Sequence, residues 1–157
     1  MTASVRPMTG AEFAAFLVVQ REEYAADVAQ ANAIPLEAAL AQADEQMAGF
    51  LPDGMRTAGH RLLVVLDGDR PIGQLWIGPH PRRSDHAYVY EIVIDEADRG
   101  RGFGRDAMLA AEELARADGA LAIGLNVFGF NERARGLYAS LGYDVASLQM
   151  LKTFSSP

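Results

Sequence analysis

The chain contains no cysteine and a single lysine, Lys152. The first absence excludes disulfides, thiolate metal sites and a cysteine nucleophile. The second makes every other basic group an arginine, a bias we read as genome composition before chemistry. Long apolar runs are missing as well: no stretch approaches the roughly 18 uninterrupted apolar residues of a membrane span. The opening Met1-Thr2-Ala3-Ser4-Val5-Arg6-Pro7 lacks the cationic-then-apolar layout of a secretory signal. A soluble, cytoplasmic protein with no membrane partner is the expectation. Positive charge is scarce, 14 basic against 21 acidic residues for a net −7. That argues against a nucleic-acid partner, because phosphate neutralisation needs a basic face. Cationic small molecules or basic peptides are easier partners.

What is present fits one globular domain over residues 1–157. Half of the 157 residues are apolar, and a chain of this size buries roughly two-thirds of its unfolded surface, so it needs no covalent staple. Residues 5–8 read as a short strand stopping near Pro7, and Thr9 is a candidate N-cap. Phe13, Phe16, Leu17, Gln20 and Tyr24 recur at helical spacing. A second helix opens near Pro35 and carries Leu36, Leu40, Ala43, Met47 and Phe50. Residues 61–66 and 71–77 form a ribbon around the turn Asp67-Gly68-Asp69.

After a Pro-rich loop over residues 78–85, residues 87–95 make the best strand in the sequence. Tyr88, Tyr90, Ile92 and Ile94 fall on one face, with Val89, Glu91 and Val93 on the other. A helix follows to about residue 117, with Phe103, Ala107, Ala111 and Leu114 as its buried stripe and Gly119 as its stop. Residues 121–128 read as a strand, 131–141 as a helix, 143–154 as a final strand region, and Ser155-Ser156-Pro157 as a frayed end.

Between the best strand and the helix lies Arg99-Gly100-Arg101-Gly102-Phe103-Gly104-Arg105. A strand-to-helix turn presents backbone N–H groups that lack intrahelical partners, and glycines let a ligand approach them closely. Together with the helix dipole this makes an anion site. The alternative is a tight turn whose glycines only satisfy backbone dihedrals. A Walker loop is a poor fit, since no Gly-Lys-Ser/Thr is present. A dinucleotide fold is another, since the spacing is G-x-G-x-G and about three strands precede it. What remains is a diphosphate held by amides, with a tail along the adjacent strand.

Four pieces carry a family resemblance: Tyr90-Glu91-Ile92-Val93-Ile94, Arg99-x-x-Gly102-x-Gly104, Gly124-Leu125-Asn126-Val127, and Asn131-x-x-Ala134-x-x-Leu137-Tyr138-x-x-Leu141-Gly142-Tyr143. Their order and spacing, over residues 88–152, resemble the GCN5-related N-acetyltransferases (GNAT). Val5-Arg6-Pro7-Met8-Thr9 is similar to the family's usual first strand. The resemblance implies an α/β fold of the α+β type, a mixed, mostly antiparallel sheet of about six to seven strands flanked by about four helices. It implies acetyl-CoA as co-substrate, with residues 99–105 around its pyrophosphate. Main-chain groups of Ile92, Val93 and Ile94 would meet the pantetheine arm, in a slot where this strand and the next splay apart. Asn131 would hydrogen-bond near that arm, although the same residue can serve simply as a helix N-cap.

By the same resemblance Tyr138 lies beside the sulfur and donates to the departing thiolate; otherwise it is a packed helix aromatic. An ammonium acceptor must lose a proton, and Glu91, on an apolar strand, is the candidate base, with a solvent-facing or arginine-paired glutamate as the competing reading. His60, His80 and His86 lack metal-ligand spacing, so no metal is assigned. Trp76 and Tyr88 can line an acceptor pocket or belong to the core. The acidic excess before His60 is either an attraction for a cationic acceptor or a solvated helical face. The expected activity is acetyl transfer to a primary amine, small molecule or peptide, directly in a ternary complex, with a homodimer from family habit. The alternative is a non-catalytic acyl-CoA-binding module.

Overall fold

The computed structural model describes residues 2–155; Met1, Ser156 and Pro157, which include most of the expected frayed end, lie outside them. The chain divides into two compact units, one of residues up to 13 with 53–126, the other of residues 14–52 with those from 127 onward.

The first unit is a five-stranded sheet in the order β1 (Ser4–Pro7), β2 (Arg61–Asp67), β3 (Arg70–Pro79), β4 (His86–Ile94), β5 (Ala122–Leu125). The first four strands pair antiparallel and β5 joins β4 in parallel. The β2–β3 turn places Gly68 at φ +61, as the Asp-Gly-Asp signal requires. Helix α3 (Phe103–Ala117) buries Phe103, Ala107, Met108, Ala111 and Ala115 and packs on β1, β3, β4 and β5. Its stripe differs from the expected one in including Met108 and Ala115, with Leu114 only half-buried. Gly119, at φ +85, follows its end. Arg61 of β2 holds Asp118 at that end through bonds of 2.8, 3.1 and 3.3 Å. Leu62, Leu63, Val64, Val65, Ile72, Leu75, Trp76 and Ile77 complete the core of this unit.

Helix α1 (Gly10–Asn32) starts in the first unit and continues in the second. Its start is a capping box. The Glu12 N–H donates to the Thr9 hydroxyl at 3.2 Å, and the Thr9 N–H donates to the Glu12 carboxylate at 2.8 Å. In the second unit, Ala25 and Val28 of α1 share one apolar cluster with Ala39 and Ala43 of α2 (Leu36–Phe50), bordered by Tyr24, Leu40 and Phe128. The expected stripe led with Leu36, but that residue is exposed. Small side chains occupy the contact instead. Arg21 pairs with Asp44, and the Tyr24 hydroxyl donates to Gln46. Helix α4 (Glu132–Ser140) follows.

The expected final strand is corrected. Residues 143–154 adopt neither strand nor helix, and Val145, Leu148, Met150 and Phe154 are largely exposed. Strand propensity reflects packing against a neighbour rather than an intrinsic backbone preference, and no ladder is recorded for this stretch. The described residues therefore hold four helices and a five-stranded, mostly antiparallel sheet, not six to seven strands.

Candidate active site

Strand β4 does not keep the even alternation its sequence suggests. Trp76 of β3 pairs with Glu91, but the next residue, Ile77, pairs with Val89, so Tyr90 is an extra residue in a bulge. A bulge shifts the phase of every later side chain. The Tyr88 and Tyr90 rings are in edge contact at 4.9 Å, and Tyr90 stacks on Trp76 at 4.6 Å. Beyond the bulge Glu91, opposite Trp76, joins this aromatic face. Ile92 and Ile94, expected to share a face with Tyr88, are moved to the other one. Glu91 is half-buried.

The second feature is an open edge. The β4–β5 ladder pairs His86 with Ala122 and ends at Val89 with Leu125. Past that point residues 91–94 of β4 are laddered only to β3. This edge runs through a 3-10 turn, Glu96–Asp98, into the glycine turn. Gly100 sits at φ +78 and Gly102, the N-cap of α3, at φ +87. In that region any side chain is strained. A Cβ on Gly102 would meet nothing within 4 Å, so space lies open over the turn. No side chain caps the helix, and its first backbone bond joins the Asp106 N–H to the Gly102 carbonyl at 3.1 Å. The Phe103 and Gly104 amides precede that bond and have no intrahelical acceptor. Donors and helix dipole thus converge on one spot suited to an anion.

The arginines of the turn are not equivalent. Arg99 donates through Nε to the Ile94 carbonyl at 2.9 Å, so one of the expected main-chain contacts on β4 already has a partner. Arg101 stands over the Phe103 ring at 4.7 Å and reaches Asp98 at 3.2 Å and Asp67 at 3.7 Å. Arg70 binds Asp98 with bonds of 2.8 and 3.1 Å and Asp67 at 3.2 Å. Asp98 is only 5% exposed. The hydrogen bonds from Arg70 hold its carboxyl below the usual aspartate range. Sequence reading passed over this cluster, taking Asp67 only as a turn former. The one available signal was the acid-base alternation Asp95-Glu96-Ala97-Asp98-Arg99-Gly100-Arg101.

The aromatic face includes His60, whose Nδ1 accepts from the Trp76 indole N–H at 3.0 Å. Its proton therefore sits on Nε2, and burial lowers its pKa, so it stays a neutral donor. Gly78 admits the imidazole, since a Cβ there would lie 2.5 Å from its Nδ1. The Tyr90 hydroxyl donates to the Pro79 carbonyl at 2.6 Å, and burial, with a smaller contribution from Tyr88, pushes its pKa up to about 12. Trp76 is 2% exposed and belongs to the core, whereas Tyr88 is only half-buried. Among the described residues no three His, Cys, Asp or Glu side chains are placed to hold a metal ion.

Two expected residues lie in the second unit. Asn131 is the N-cap of α4, its side-chain oxygen accepting from the Ala134 N–H at 3.2 Å. Tyr138 is half-buried and packs edge-on against Tyr143 at 5.9 Å. The first unit brings together Glu91, Ile92, Val93, Ile94 and residues 99–105.

A model of the acetyltransferase (GNAT) family matches residues 20–143. The chain is 30% identical over 154 residues to the N-acetyltransferase YycN of Bacillus subtilis, covering 97% of this chain and 99% of that one. It is 28% identical over 156 residues to YdgE of the same organism, covering 97% and 98%. The crystal structure of YycN superposes with a TM-score of 0.90 at 29% identity, over 99% of this chain and all of the other. With an N-terminal α-pair, a mixed sheet interrupted by a bulge, and a glycine turn opening onto a helix, the chain belongs to the GNAT family and is an N-acetyltransferase.

Proposed function

We propose that the enzyme moves an acetyl group from acetyl-CoA to a primary amine, small molecule or peptide, by direct transfer in a ternary complex within a single domain. The observation that carries this reading is the end of the β4–β5 ladder at Val89 and Leu125. It leaves residues 90–94 with an open main-chain edge leading into the uncapped start of α3. A strand edge offers amides and carbonyls to an extended amide-bearing arm, and a helix start with left-handed glycines offers amides to a diphosphate. The donor set therefore fits acetyl-CoA, which supplies an activated acyl thioester when bound.

In this reading the glycine turn holds the diphosphate, and Ile92 and Val93 hold the arm through their main chain, while Ile94 contributes beside the Arg99 contact. Asn131 adds a hydrogen bond near the arm while still capping α4. A main-chain N–H at the bulge donates to the thioester carbonyl oxygen as negative charge develops there. Glu91, on the aromatic face, takes the proton from the acceptor ammonium, directly or through water, leaving a neutral amine to attack. As the C–N bond forms and the C–S bond breaks, the Tyr138 hydroxyl donates its proton to the leaving thiolate. A thiol pKa of about 8.5 makes that help useful without making it indispensable. No cysteine is present to form an acyl-enzyme, which favours direct transfer.

The test is release of free thiol from acetyl-CoA in the presence of an amine panel. Glu91→Gln is expected to lower kcat roughly 10²-fold and Tyr138→Phe roughly tenfold. Turnover unchanged in both variants would remove them from the mechanism. No CoA binding and no thiol release with any amine would overturn the reading.

A further inference from the structure

The turn that would hold the diphosphate is anchored from outside itself. Asp98, one residue before it, is nearly excluded from solvent although it is charged. A buried carboxylate is tolerable only when partnered. Here the partners come from two directions: Arg70, at the start of β3, grips both Asp98 oxygens, and Arg101, inside the turn, reaches Asp98 and also Asp67 at the end of β2. A main-chain bond runs parallel to these contacts, from the Asp95 N–H to the Ile72 carbonyl of β3 at 2.8 Å. Two aspartates and two arginines thus close a charge-neutral ring between the β2–β3 hairpin and the glycine turn. The guanidinium of Arg101 also lies over the ring of Phe103, the first residue of α3 and itself 2% exposed.

We propose that Asp98 is a positioning residue for CoA binding: it holds Arg101 and the glycine turn in the diphosphate-binding shape by tying them to the β2–β3 hairpin. This rests on the placement of the diphosphate at the turn given above. The Arg101 charge is committed to Asp98 and Asp67, so the anion is met by main-chain amides and the helix dipole. Arg101 acts on it only through the shape of the loop.

The sign of one substitution separates this from the obvious rival. If Arg101 were itself a phosphate ligand restrained by Asp98, releasing it with Asp98→Asn would tighten CoA binding. If Asp98 positions the turn, the same change weakens it, by roughly tenfold given how steeply binding depends on sub-ångström placement. The experiment is isothermal calorimetry with CoA on the wild-type protein and on Asp98→Asn, Asp98→Glu and Asp67→Asn. The expected result is a weaker Kd in Asp98→Asn, partial recovery in Asp98→Glu, and a smaller loss in Asp67→Asn, whose carboxylate touches the same two arginines from the hairpin. Asp67→Asn also carries the test if Asp98→Asn does not fold. A Kd that tightens or stays within about twofold in the folded variants would overturn the proposal. No CoA binding by the wild-type protein would instead overturn the diphosphate placement beneath it.

Discussion

The two units of the chain differ in how their cores are filled. In the sheet unit, Ile72, Leu75, Trp76 and Met108 are large side chains with at most 2% of their surface exposed, enclosed between strands and α3. In the helical unit Phe16 is as deeply buried, but the cluster that α1 and α2 share is made of the small side chains Ala25, Val28, Ala39 and Ala43. The difference teaches what each unit is for. The bulge, the open strand edge and the glycine turn all interrupt regular structure, and they lie in the unit with the heavier core. Groups that must hold a ligand in one geometry need a support that does not yield.

If that contrast is right, the two units break under opposite kinds of change. Leu75→Ala in the sheet should leave a cavity and lower stability by about 2–5 kcal/mol, read as a large fall in denaturant midpoint. Ala39→Leu in the helical cluster adds volume where none is spare and should cost about 1–3 kcal/mol. The same enlargement at exposed Leu109, to Phe, should change little; if Ala39→Leu were equally silent, the helices would not be held by alanine contacts. Asn131→Ala removes the cap of α4 and should cost about 1 kcal/mol, with Asn131→Asp recovering most of it in thermal melts.

The smallest effect concerns the start of α1, in the first unit. Hydrogen bonds from Arg6, then from the Thr9 main chain, lower the Glu12 carboxyl to about 2 from a reference of 4.5. A carboxyl with a depressed folded pKa contributes stability that is complete above its unfolded pKa and disappears as pH falls through the folded value. Glu12→Gln should therefore lower Tm slightly at pH 7, and the gap should close between pH 4.5 and about 2. Because both partners stay partly exposed to solvent, added salt should shrink it as well. A gap that widened in acid would contradict the capping-box account.

The candidate site was legible in parts. The Arg99-x-x-Gly102-x-Gly104 turn could be read because left-handed positions demand glycine and a helix start presents free donors, both local facts. The capping box at Thr9 and Glu12 is local for the same reason. The face of Glu91 could not be read: alternation sets it opposite Tyr88, and only the Tyr90 bulge against β3 brings it beside Trp76. Asp98 was equally hidden, because its partner Arg70 lies 28 residues away and meets it only when the hairpin folds back. Residues 143–154 show the reverse, a strand-like pattern for which the structure records no ladder.

Amino-acid order alone determined most of the segments that coil or extend, and that left-handed glycines lead into a helix start whose amides suit an anion, since these depend on neighbours within a few residues. Which side chains share a face past a bulge, which carboxylates become buried, and where a strand edge stays open were decided only by the folded chain. Register and burial are properties of pairs distant in sequence, and no local pattern encodes them.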